Sequence, residues 1–229
     1  MPQVNSKIIP FHPPIKHDIP RFQNRTELRE FEVAARHNIR GQYQLAFFYE
    51  QPELDGENSP YRLHYPARAK EILWNISHKR PSKQEPDLNI IIANCALKLA
   101  WISQEENGIE SITKSLIETA QNILQKHSIP DDGEAEFLLG WMFHHKLILS
   151  ENNLPDHISL YKAAAQRGNL DALTALRQIA KESKNYKLQS EIKEIYTDII
   201  NKPQCTILRN PQAEILAANE RGQQPPSTL

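Results

Sequence analysis

Residues 135–143 read AEFLLGWMF, and residues 158–172 read ISLYKAAAQRGNLDA. Both runs mix small side chains with bulky ones at helical spacing. Ala135, Gly140, Ala164 and Ala165 let two helices approach closely, and Phe143 and Tyr161 fill the space left between them. Gly168 falls where the second run ends, and glycine takes the left-handed backbone just past a helix C-terminus without a Cβ penalty. Leu170, Leu173, Leu176 and Ile179 then resume the three-and-four spacing of another helix. The stretch predicts two helices packed as a pair, followed at once by the start of a further one.

The same spacing recurs outward from it. Residues 87–103 place Leu88, Ile91, Ile92, Cys95, Leu99 and Ile102 on one face, with Pro86 suited to a helix start. Ile90, Leu97 and Trp101 occupy the remaining faces, so this helix is apolar nearly all round and belongs at the centre of the core. Residues 108–127 carry a stripe of Ile109, Ile112, Leu116, Ile117, Ala120, Ile123 and Leu124, read as core packing. Leu188, Ile192, Ile195, Tyr196 and Ile199 mark a later amphipathic helix that stops near Pro203, and a short last helix is expected over 213–220. No alternating apolar run sits beside an Asn-Gly or Asp-Gly turn, so strands are not expected.

Composition narrows the function. The chain carries 27 basic and 28 acidic side chains, a net charge of -1, which leaves no global field to hold nucleic acid or an anionic membrane. No run approaches the ~18 apolar residues of a spanning helix. The first residues lack a continuous apolar segment, so no signal peptide is expected and the protein reads as soluble. Cys95 and Cys205 have no metal-like spacing, and such sparse use fits a reducing cytoplasm.

Prolines cluster at both ends. Pro2, Pro10, Pro13, Pro14 and Pro20 interrupt the start, and Pro225 and Pro226 lie in the tail. These divide the chain into an extended arm over 1–22, a helical repeat-like body over 23–204, and a short helix with a polar tail over 205–229. The first arm holds Ile8, Ile9, Phe11, Ile15, Ile19 and Phe22 between its prolines. Two readings fit it: a disordered leader, or an extended segment outside the core that docks along a groove.

The run 135–172 resembles the Sel-one-like repeat, a relative of the tetratricopeptide repeat. That pattern has an alanine, then Leu-Gly and an aromatic-rich turn, a variable loop, then Tyr-x-x-Ala-Ala, a glycine and a further alanine. Ala135, Leu139 and Gly140 match the first half; Tyr161, Ala164, Ala165, Gly168 and Ala172 match the second. A second match runs over 34–50, AARHNIRGQYQLAFFYE, where Gln42, Tyr43, Leu45, Ala46 and Tyr49 take the expected places. It departs from the pattern in that Gly41 replaces an alanine and the turn before Gln42 is one residue short. Residues 67–76 follow as the partner helix, with Ala69, Ile72, Leu73 and Ile76 inward. The segment between the two units lacks the signature, so the expected architecture is all-α: an irregular array of antiparallel helix pairs with extended arms. The resemblance implies a scaffold or adaptor in a multiprotein complex, commonly bacterial. The chain as a whole also resembles accessory subunits of the coupling complex in Dot/Icm-type IV secretion systems. That resemblance implies a cytoplasmic place at the inner face of a membrane-bound secretion complex and a part in protein transport.

No catalytic grouping is assigned. His144 and His145 are neighbours that point about 100° apart on a helix, a poor arrangement for chelating one ion. His127, Asp131 and Asp132 cluster at a turn and read as solvated; His157 completes the set to inspect for a metal, but no metal or cofactor is expected. HExxH, GxGxxG, GxxxxGK[ST] and GxSxG are all absent. Trp141 lies inside the repeat and reads as packing, whereas Trp74, between Leu73 and Asn75, falls off the apolar stripe and is a candidate partner contact. Ile8, Ile9, Phe11 and Ile15 are the other candidate partner-binding residues. The expected function is protein binding within a hetero-complex, without nucleic acid, cofactor or membrane span. The competing reading is a secreted bacterial effector with an enzymatic site on a helical scaffold.

Overall fold

The computed structural model describes residues 13–14, 19–51, 64–106, 110–126, 133–148 and 155–201. They form nine helices and no strand: α1 (Arg25–Ala35), α2 (Ile39–Glu50), α3 (Pro66–Ser77), α4 (Pro86–Glu105), α5 (Glu110–Lys126), α6 (Glu134–His144), α7 (His157–Gln166), α8 (Leu170–Glu182) and α9 (Tyr186–Asn201). Each helix packs against the next in the chain, and α2 also touches α4 as α7 touches α9. The all-α array of helix pairs is therefore as expected. The short helix expected over 213–220 and the polar tail lie outside the described residues.

Short connectors join α1 to α2, α7 to α8 and α8 to α9. Three helices end in the same way. After α7, the Gly168 N–H donates to the Ala165 carbonyl (2.8 Å) and the Asn169 N–H to the Ala164 carbonyl (3.1 Å), with Gly168 left-handed at φ 100. Asn169 then caps α8 by accepting from the Ala172 N–H at 2.9 Å. After α8, Lys184 takes the left-handed place at φ 51 and Asn185 caps α9, accepting from the Leu188 N–H at 3.0 Å. Lys146 does the same after α6, at φ 57.

Small residues set the spacing, as their positions predict. A Cβ on Gly140 would lie 2.9 Å from the Tyr161 ring, so α6 and α7 touch there through backbone and ring. Ala164 and Ala165 are fully buried in the same contact. Ala164→Leu is expected to cost about 1–3 kcal/mol by overpacking, read as a drop in the melting temperature; no drop would dissolve the α6–α7 pairing. Gly41 has an equally local reason. A Cβ there would meet the Ala35 Cβ at 2.9 Å, because the short α1–α2 turn draws the two helices together.

The main core runs from Tyr43 on α2 to Ile199 on α9 with α4 at its centre. A smaller cluster joins Phe22, Leu28, Ala35, Leu45, Phe48, Tyr49 and Ala69. Here the expected arm boundary needs correction. Phe22 is buried, edge-on to Phe48 with ring centroids 4.8 Å apart, and Ile19 packs against both clusters. The core thus begins before residue 23, because two aromatic faces on α1 and α2 require an apolar cover. One polar link ties this end together. The Tyr49 hydroxyl donates to Glu32, and Arg68 lies 3.3 Å from Glu32 and over the Tyr49 ring.

Candidate partner-docking groove

α4 is buried on nearly every face, so α3 and α5 both lie against it. The two leave a hollow of about 190 Å³ between them, lined by Trp74, Ser77 and His78 of the α3 end and by Ser111, Ile112, Ser115, Leu116 and Thr119 of α5. Leu73 and Ile76 turn inward and anchor α3, which aims Trp74 outward. Trp74 is 46% exposed and Ile112 38%, so two large apolar side chains stay open to water along one groove. The Trp74 ring stacks on His78 at 4.2 Å between centroids. The Ser77 hydroxyl donates to the Trp74 carbonyl at 2.9 Å, which leaves Trp74 with a fixed, half-covered face.

The loop that leaves this groove is also held. Asn89, itself buried, accepts from the Ser82 N–H and donates to the Ser82 carbonyl, both at 2.8 Å. The Ser82 hydroxyl accepts from the Gln84 and Glu85 amides. His78, Lys79, Arg80 and Lys83 are therefore displayed on an ordered turn, all exposed.

Of the residues singled out in the sequence, Trp74 stands at this groove. Ile8, Ile9, Phe11 and Ile15 lie outside the described residues. Ile112 was read as core and is not: Thr113 takes the buried position and Ile112 turns to the groove. The missed signal was the row Ser111, Ser115 and Thr119, which marks that edge of the stripe as solvated.

The histidines are arranged differently. His144 lies 5.3 Å from His145 and 5.3 Å from His157, ring centre to ring centre, with Tyr161 alongside and Trp141 stacked on His145. No group of three His, Cys, Asp or Glu side chains fit to hold a metal occurs among the described residues, and His127, Asp131 and Asp132 lie outside them. Burial lowers the pKa of His144 below its ordinary 6.5, His157 adds to this, and Glu182 of α8 opposes it. Burial and then His144 lower His145. Groups with depressed folded pKa values take up fewer protons folded than unfolded, so stability falls as pH drops below 6.5 and is level above it. The melting temperature is expected to decline from about pH 7 to about pH 5, and less so in His144→Gln/His145→Gln. A parallel decline in both proteins would assign the effect elsewhere.

Three further groups bear on catalysis. Cys95 is fully enclosed within α4, and burial pushes its thiol well up, the opposite of what a nucleophile needs. Burial likewise raises Tyr43 and Tyr161. No helix among the described residues is long and apolar enough to cross a membrane. No family model, curated protein or solved structure matches the chain.

Proposed function

We propose that this chain is a non-catalytic scaffold or adaptor that binds other proteins as a subunit of a bacterial multiprotein complex. The observation that carries the reading is the α3–α5 groove, where Trp74 and Ile112 are exposed together on facing walls of one hollow. Helix arrays present such grooves to peptides and partner helices, and exposed tryptophans commonly anchor the contact. The Sel-one-like resemblance around Ala135–Ala172 points the same way. The finer reading makes it an accessory, DotY-like subunit of a Dot/Icm-type IV secretion coupling complex. It would work at the cytoplasmic face of the membrane and support substrate recruitment. That reading rests on resemblance alone.

The test compares tagged wild type with Trp74→Ala and Ile112→Asp in quantitative co-purification from the native cell. Each substitution should weaken the assembly by about 2 kcal/mol while changing fold stability by no more than about 0.5 kcal/mol. A defined assembly that survives both substitutions undiminished would refute the groove as the docking site.

A further inference from the structure

We propose that the groove takes an acidic amphipathic helix of a partner protein, its apolar residues seated between Trp74 and Ile112 and its carboxylates over the α3–α4 loop. The inference rests on the adaptor reading and specifies the chemistry of the partner. Its first support is charge. Lys79 and Arg80 follow directly on His78, a groove-lining residue, Lys83 lies further along the same loop, and none of the three is paired with a carboxylate among the described residues. Other cations of the fold do find carboxylates, Arg40 with Asp87, Lys70 with Glu106 and Lys162 with Glu191, whereas these three stand together on one ordered loop beside the groove. Glu85 closes the same loop, Glu71 stands one turn before Trp74, and Glu110 begins α5, while Glu118 pairs with Lys114. The field is thus positive at the loop and not along the whole groove, which fixes where the partner's carboxylates sit.

Shape supplies the second support. The site is a concave slot between two helices, with Leu116 and Ile112 on one wall and the Trp74–His78 stack on the other. A bilayer favours a protruding apolar face, whereas a slot suits the apolar ridge of a single helix. The hydroxyls of Ser111 and Ser115 line the α5 wall and offer hydrogen bonds to polar residues flanking that ridge, while the Thr119 hydroxyl, which donates to the Ser115 carbonyl at 2.8 Å, can still accept one. The loop is ordered beforehand by Asn89, so little freedom is lost when it meets a charge.

The test uses the full chain and a labelled synthetic helical peptide with leucines at i, i+3, i+4 and i+7 and glutamates between them. A second peptide carries lysines in place of the glutamates. Fluorescence anisotropy should show saturable binding of the glutamate peptide only. Lys79→Glu/Arg80→Glu should weaken it by about tenfold, Lys79→Gln/Arg80→Gln by less, and Ile112→Asp should remove it. Circular dichroism checks that every variant keeps its helices. Absence of glutamate-peptide binding, equal binding of the lysine peptide, or indifference to charge reversal overturns the proposal. Binding instead to phosphatidylglycerol vesicles, lost on charge reversal, overturns it in favour of a lipid surface. If any of these occurs while Trp74→Ala still releases the native assembly, the adaptor reading stands and only the partner's charge is wrong.

Discussion

Gly133→Ala is expected to lower stability by about 3 kcal/mol, roughly 6–12 °C in melting temperature for a chain of this size. Two costs combine. Gly133 caps α6 at φ 72, a left-handed conformation that costs an L-residue with a Cβ about 1–2 kcal/mol. The added Cβ would also lie 2.6 Å from the Ala164 carbonyl oxygen and 2.7 Å from its Cα. Those are backbone atoms of α7, which cannot rotate aside as a flexible side chain would. Gly133→Asn separates the terms, since asparagine tolerates the left-handed region but keeps the Cβ. A loss of similar size in both variants identifies the helix contact as the larger cost. A neutral Gly133→Ala would mean that α7 does not approach the start of α6 as described.

Glu50→Ala is the second large effect, expected at about 3 kcal/mol. Its partner Lys98 is only 6% exposed, and its ammonium lies 2.7 Å from Glu50 and 3.9 Å from the centre of the Trp101 ring. Removing the carboxylate leaves a buried cation with ring contacts alone. Glu50 itself keeps about a quarter of its side-chain surface in water, which puts the expectation at the lower end of the range for buried pairs. Lys98→Met removes the charge and keeps the volume. It should hold stability within about 1 kcal/mol of wild type, because Glu50 regains water where the cation did not. Urea unfolding of both variants decides it. Equal losses at the two ends would show the pair to be a net attraction rather than a satisfied burden.

Periodicity made the helices legible and was less informative about their edges. The stripe of α9, from Leu188 to Ile199, is buried as drawn, and Gly168 ends α7 left-handed as its position predicts. The apolar run of α4 was also visible, but a run with no polar face says nothing about which neighbours cover it. Nor does it explain Lys98, buried against Glu50 far away in sequence, or Asn89, buried by its bonds to the Ser82 backbone of the preceding loop. Ile112 was misread because a stripe of seven residues is wider than one neighbouring helix can cover. Once α4 occupies the Leu116–Ile117–Ala120 side, the outermost member is left to solvent. Trp74 was legible because a lone tryptophan opposite two inward aliphatics has no core to enter. The left-handed lysines at 146 and 184 were not foreseeable, since only glycine or asparagine signals that conformation in advance.

The enclosed thiol of Cys95 turns the centre of the array into a chemical clock. No reagent reaches it while α4 stays covered by its neighbours. Its labelling rate, in a background where Cys205 is replaced by serine, therefore counts how often the middle of the protein opens. Rates that fall when a partner is added would measure how far an occupied groove on one face of α3 and α5 steadies the helix beneath them. This reads coupling between surface and centre without tracking the partner at all.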